Sequence, residues 1–319
     1  MDHDIGGLHH VGHLVHDMDQ ALDRYRRLGF SLPGPAYPVL GEPPEPFGLG
    51  NTHAYFPGNF VELVTVAGSG RVPGDARLIP LKAPEERLAA LKDAVRGTAA
   101  TLEACLRRFE GVHILMFDAR DIDRAAARLA AARVGHGGVH AAQRPVETAD
   151  GTRMEPVRYL EIDGVVPGRV PEGRVGLAAN DRAVAGAPAG ADHPNGAHAL
   201  VECVLCVADD AIDETERRYE RYLGRTARRA GPVRVFELGG EARVTLAAAS
   251  GLGELLPGGT AAALPGFVAY AVGVNDAAAT ERLLRAGDIP LGRTSAGELV
   301  VPARAAFGAA IIFRETGRP

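Results

Sequence analysis

Residues 8–29 read Leu-His-His-Val-Gly-His-Leu-Val-His-Asp-Met-Asp-Gln-Ala-Leu-Asp-Arg-Tyr-Arg-Arg-Leu-Gly. The first part has the short apolar rhythm of a strand. Asp17 then suits a helix N-cap, with Gln20 at the capping-box position. Met18, Ala21, Leu22, Tyr25 and Leu28 fall on one helical face, and Gly29 ends the helix.

The same pattern is written three more times. A strand from Val112 leads to Asp121, and Ile122, Ala125, Ala126, Leu129 and Ala132 make the next helical face. The third copy starts at Leu200, carries Ile212, Tyr219, Tyr222 and Leu223 on its helix, and stops at Gly224. The fourth starts at Phe267, with Leu283 and Leu284 on a helix ending at Gly287. After each helix come short β-like runs; Thr52–Phe56 and Phe60–Val66, joined by Pro57-Gly58-Asn59, read as a hairpin. One strand, one helix and about three strands per copy define a βαβββ module, so the expected class is α+β, with four modules paired into two cupped mixed β-sheets.

The spacing divides the chain into an N-terminal domain at 1–179 (modules 7–67 and 110–179, helical insertion 68–109), a linker at 180–197 and a C-terminal domain at 198–319. At 319 residues there is length for two such cores. Hydrophobic residues at 46% and charged residues at 24% are ordinary for a globular protein. A net charge of −5 makes no electrostatic case for nucleic acid or an anionic membrane. No apolar run approaches a bilayer span and the N-terminus lacks a secretory pattern, so the protein is expected to be cytoplasmic. Cys203 and Cys206 have metal-site spacing, but residues three apart on a strand point to opposite faces, so both read as buried apolar side chains. No phosphate-cradling glycine loop, nucleophile elbow or dinucleotide fingerprint appears.

Leu8-His-His-Val, Asp17, Leu28-Gly-Phe and Gly58-Asn-Phe-Val-Glu-Leu-Val resemble the opening module of vicinal-oxygen-chelate proteins. His193-Pro-Asn-Gly-Ala and the start of the third copy resemble the glyoxalase-like domain branch. The resemblance implies a U-shaped sheet whose concave face holds the site. In metal-dependent members (glyoxalases, epimerases, thiol-transfer resistance enzymes, extradiol dioxygenases) ligands come from the first and last strands of each module. Other members bind a small molecule without metal, as bleomycin-binding resistance proteins do.

His10 occupies the first-strand ligand position that the resemblance implies, and Glu62 the last-strand position. Independently, Glu62 interrupts an apolar strand, where a lone carboxylate is costly unless paired or metal-bound. An imidazole and a carboxylate converging from two strands make half of a mixed N/O divalent site, for Fe, Mn, Ni or Zn. The alternatives are a solvated strand face or a His–Glu hydrogen bond without metal. In the second module the equivalent position is Ile114; His113 beside it becomes a ligand only if a bulge turns it inward. Glu161 and Glu172 are alternatives for the missing carboxylate. His53 is a candidate pocket residue and proton shuttle, with Glu62 the other catalytic candidate. His9 and His13 are expected on the face opposite His10 and His16. In the C-terminal modules the equivalents are Glu202, Ala269, Val244 or Thr245, and Ile312 or Phe313, which argues against an extradiol site and leaves Glu202 paired with a nearby arginine or exposed at the cup rim.

The expected function is a metal-dependent isomerase, lyase or oxygenase acting on a small oxygenated metabolite at the N-terminal cup. The alternative is a metal-free small-molecule-binding or resistance protein; an extradiol-type dioxygenase ranks below both. The expected partner is a small molecule, with a homodimer left open.

Overall fold

Asp17 accepts a hydrogen bond from the Gln20 backbone amide at 3.0 Å, and Asp121 and Asp276 cap their helices in the same way. These three caps mark the start of a module repeat in the computed structural model, which describes residues 3–68, 71–81, 83–148, 151–180 and 192–317. The first module runs β1 (Ile5–Leu14), α1 (Met18–Arg27), β2 (Ala36–Leu40), β3 (Glu45–Pro46), β4 (Leu49–Tyr55) and β5 (Phe60–Val66). An insertion follows with β6 (Arg77–Pro80) and α2 (Glu85–Leu106). The second module is β7 (Gly111–Ala119), α3 (Ile122–Ala131), β8 (His140–Thr148), β9 (Gly151–Glu161) and β10 (Arg174–Asn180). The third is β11 (Ala197–Val207), α4 (Ile212–Leu223), β12 (Arg228–Ala230), β13 (Val233–Glu237) and β14 (Arg243–Ala248), followed by the short α5 (Leu252–Leu255). The fourth is β15 (Gly266–Val274), α6 (Ala277–Ala286), β16 (Gly292–Arg293), β17 (Leu299–Val301) and β18 (Ala310–Glu315). Gly224, with φ 62°, ends α4 in the left-handed conformation that glycine adopts without strain.

In each half the first strands of two modules pair antiparallel, β1 with β7 and β11 with β15. Each then pairs in parallel with the last strand of its own module. The register of β1 against β7 shifts between Ile5 and Gly7, Leu8 and His10, and Gly12 and His13. That of β11 against β15 shifts at the corresponding steps, Ala197/Ala199, Leu200/Glu202 and Val204/Leu205. Shared bulges make the two halves structural copies of one another. The half-sheets are continuous through one pair, Phe267 of β15 with Val112 of β7.

One face of the sheet carries the helices and a core that spans both halves. Met18, Leu22 and Tyr25 of α1 and Tyr219 and Leu223 of α4 pack there on Val11, Leu115, Leu205 and Val272. The inner face holds separate apolar clusters. In the N-terminal half, Leu102, Cys105 and Leu106 from the last turn of α2 cover Leu14, Val64, Ile114 and Met116. Burying a leucine contributes about 1.5–3 kcal/mol, so two leucines suffice to dock this end of the inserted helix. Cys203 belongs to the helix-side core and Cys206 to the inner cluster of the C-terminal half, so the pair cannot share a metal. Burial pushes the Cys206 thiol up to about 11 and raises Cys203 as well.

Residues 181–191 of the expected linker lie outside the described residues. At its far end, His193 donates from Nε2 to the Tyr55 carbonyl (2.9 Å) and accepts the Ser31 amide (2.9 Å), and Asn195 donates to the Leu28 carbonyl (2.9 Å). His193 and Asn195 therefore tie the entry to the third module onto the first.

Candidate functional site

On β1, Gly12 is flanked by Glu62 of β5 and Ile114 of β7, and His10 by Phe60 and Met116. Glu62 in turn faces His53 of β4. Directly opposed residues in a sheet project to the same side, which brings His10, Glu62 and His53 together on the inner face. His53 Nε2 lies 3.6 Å from Glu62 Oε1, and His10 Nε2 lies 4.0 Å from Oε2. Asn51 donates its amide to Oε1 at 2.8 Å. The far nitrogens of both rings are engaged: His53 Nδ1 with the Tyr55 hydroxyl (3.1 Å) and His10 Nδ1 with His9 Nδ1 (2.7 Å). Phe60 stacks on the His10 ring with centroids 4.6 Å apart. The side chains keep 14% exposure for His10 and Glu62 and 17% for His53, so the group is sheltered yet reachable.

Burial alone raises a carboxyl pKa, but the neighbouring His53 and His10 imidazoles and the Asn51 amide together hold Glu62 down at about 2. Glu62 is thus a standing carboxylate between two imidazoles. Nitrogen–oxygen separations of 3.6 and 4.0 Å exceed a hydrogen bond of about 2.7–3.2 Å. They match two donors each about 2.0–2.2 Å from one shared ion. Two imidazoles and a carboxylate are a fitting donor set for Fe, Mn, Ni or Zn. Among the described residues no group of three or more His, Cys, Asp or Glu is arranged so that it could hold a metal ion as it stands.

The second module does not complete the set. Its register places Ile114 where the first module has His10, and Gly176 where it has Glu62. A side chain at Gly176 is prohibited, since a Cβ would lie 2.2 Å from the Leu160 carbonyl oxygen. The expectation for His113 is corrected: a bulge exists at that step, but it delivers Ile114 rather than His113 to the row beside Gly12. His113 is buried, donates from Nε2 to the Phe109 carbonyl at 2.8 Å and lies against the Phe109 ring. Glu161 stands where the first module has His53 and is bonded to Arg174. Glu172, fully buried, binds the Tyr219 hydroxyl (2.8 Å) and Arg218 (2.9 Å) and serves the contact between halves.

Strict alternation fails at His9, which the bulge between Leu8 and His10 leaves beside His10. His13 does face the helices, where it is bonded to Tyr25. Asn51 escaped the sequence reading, although its place two residues before His53 on one strand was the available signal. In the C-terminal half the register sets Glu202, Thr245, Val235, Ala269 and Ile312 at the places of His10, Glu62, His53, Ile114 and Gly176. Glu202 is saturated by Arg243 (2.9 Å), Arg314 (2.6 Å) and the Thr245 hydroxyl.

A family model described as a glyoxalase-like domain matches residues 8–223. No curated protein sequence matches the chain significantly. Among solved structures, a hypothetical protein from Staphylococcus aureus superposes with a TM-score of 0.56 at 11% identity, covering 97% of this chain and 99% of that one. A mutant of 4-hydroxymandelate synthase from Streptomyces coelicolor gives a TM-score of 0.52 at 15% identity, with 99% and 94% covered. A fusion of a xylose isomerase-like TIM barrel with 4-hydroxyphenylpyruvate dioxygenase gives 0.52 at 12% identity, covering 100% of this chain and 50% of that one. At such identities the likeness speaks for the fold alone. Among the described residues no helix is long and apolar enough to cross a membrane.

Proposed function

The chain belongs to the glyoxalase-like domain family of the vicinal-oxygen-chelate superfamily, and from that premise we propose that it is a metal-dependent enzyme acting on a small oxygenated metabolite at the His10–Glu62–His53 site. The observation that supports this most is the approach of two imidazole Nε2 atoms to one ionised carboxylate, at separations too long for hydrogen bonds. On this reading His10 and Glu62 hold a divalent ion, with His53 in place of the third donor first expected from His113. A bound ion would supply Lewis-acid stabilisation of an enolate or oxyanion on the substrate. The Tyr55 hydroxyl, at His53 Nδ1, holds the ring so that Nε2 faces Glu62. Phe60, stacked on the His10 ring, limits water around these groups. The reading also keeps 1–179 and 198–319 as two domains flanking 180–197, with the chemistry confined to the first.

A second reading, metal-free binding of a small molecule, draws on Ile114 and Gly176 standing where the second module would have to supply donors. Titration of the purified protein with Mn²⁺, Ni²⁺ and Zn²⁺, and with Fe²⁺ under anaerobic conditions, separates the two. One ion per chain is expected, with affinity reduced at least tenfold in both His10→Ala and Glu62→Ala. Absence of stoichiometric binding, or binding indifferent to both substitutions, would leave the metal-free reading standing.

A further inference from the structure

At four positions the inner face of the C-terminal half carries a smaller residue than its N-terminal copy. Ala269, Ala271 and Ala310 hold the positions of Ile114, Met116 and Arg174, and Val300 that of Glu161. The covering segment is also reduced, from the 22-residue α2 to the 4-residue α5. Beside this face lies a cavity of ≈ 330 Å³, walled by Leu252, Leu256, Val268, Leu291, Val300 and Ala310, so that two of these four positions, Val300 and Ala310, line it.

Most of this wall is aliphatic. Arg304 is the one charged residue lining it, at the rim beside Pro302 and Ala303. Arg304 is exposed and has no ion-pair partner among the described residues. It separates the cavity from a polar groove bordered by Asp19, Asp23 and Glu110, none of which forms an ion pair with it. The ionised groups deeper in the same half, Glu202, Glu298, Arg243 and Arg314, are bonded to one another and do not line the cavity.

An apolar cleft with one unpaired guanidinium at its mouth selects an amphipathic anion. We propose that the C-terminal half is a second ligand site, which takes an aliphatic monocarboxylate with its chain among Leu252, Leu256, Val268 and Val300 and its carboxylate on Arg304. The volume lies at the low end of the roughly 300–1,000 Å³ typical of ligand pockets, room for about ten non-hydrogen atoms, the size of octanoate. The site is independent of metal at His10 and Glu62.

Calorimetric titration of the full chain with butyrate, hexanoate, octanoate and 1-octanol tests it. Affinity should rise about fourfold per methylene up to octanoate, as burial of each CH₂ predicts, and octanoate should bind at least fivefold tighter than 1-octanol. Arg304→Glu, a surface change that leaves the core intact, should abolish the preference for octanoate over the alcohol. Val268→Phe should block both ligands. Equal binding of acid and alcohol, octanoate affinity unchanged in Arg304→Glu, or no binding at millimolar octanoate would each overturn the assignment.

Discussion

The most demanding prediction concerns acid. His13 is fully buried at the seam between the halves, where its Nε2 faces the Phe307 carbonyl at 2.7 Å and must carry the proton. Its Nδ1 therefore accepts from the Tyr25 hydroxyl at 2.9 Å, and Tyr25 accepts from Tyr270 of the fourth module at 2.9 Å. Every member of this chain is satisfied only while His13 is neutral. His113, also buried, adds a second imidazole whose charge would oppose that of His13. Burial lowers both from 6.5 to about 4.

A histidine whose folded pKa lies below its unfolded value contributes nothing unfavourable above the unfolded pKa. As pH falls from 6.5 towards 4 the unfolded chain binds the proton first, and stability drops throughout that window. A lowering from 6.5 to about 4 corresponds to about 3 kcal/mol for one histidine, and since part of the His13 lowering is the charge of His113, the pair removes less than twice that. Against a total stability of about 5–15 kcal/mol that loss is a large fraction. The Glu62 carboxylate, with its pKa lowered from 4.5 to about 2, begins to lose its contribution near pH 4.5 and loses most of it below that window. Urea midpoints followed by circular dichroism between pH 7.5 and 3.5 should fall steeply below pH 6.5. His13→Gln should be less stable at pH 7.5 but have a shallower slope, and His13→Gln with His113→Gln a shallower one still. A midpoint that stays flat from pH 6.5 to 4, or an unchanged slope in the double variant, would refute the reasoning.

The same hydrogen-bond chain predicts unequal costs for two similar substitutions. Tyr25→Phe strands both His13 Nδ1 and the Tyr270 hydroxyl and should cost about 1–3 kcal/mol for each group left unsatisfied, whereas Tyr270→Phe removes only the terminal donor and should cost about 1 kcal/mol; thermal or urea denaturation of the two variants at pH 7.5 checks the order. Gly176→Ala should destabilise by about 1–3 kcal/mol through overpacking, because its Cβ would lie 2.2 Å from the Leu160 carbonyl oxygen, and a wild-type melting curve would remove that constraint.

The repeat was legible because its signals are local. An aspartate cap, one apolar helical face and a terminal glycine can each be read within a dozen residues, and three of the four modules begin their helices with the expected aspartate bond. The fourth helix start differs: at the third module a short 3₁₀ turn at Asp209–Ala211 leads into α4 without a side-chain cap. The inner face was harder to read because it depends on register between strands far apart in sequence. The bulge that hands the row beside Gly12 to Ile114, and the one that sets His9 next to His10, leave no mark in the alternation of residues. His53 reached Glu62 through hairpin pairing, which is local, and so could be suspected from sequence; Arg174 with Glu161 required the pairing of β10 with β7 and β9.

The two halves show what duplication permits. Both keep the bulges and the helix-side core, since altering either would disturb every paired strand. The inner faces bear no such burden and have diverged in opposite directions. In the N-terminal half, His10 and His53 leave the Glu62 carboxylate partly open, and α2 closes over the apolar remainder. In the C-terminal half, two arginines and a threonine close off the equivalent carboxylate, Glu202, and a cavity lies against the apolar remainder instead. A buried charge gripped by three donors cannot readily give up its partners to a ligand, because removing one leaves an uncompensated charge at a cost of about 3–5 kcal/mol. Glu62, flanked by imidazoles beyond hydrogen-bond distance, faces no comparable penalty when a cation arrives. On the proposed reading polar chemistry falls to the first half, and the second offers its space to the apolar chain of a ligand whose charge stays at Arg304.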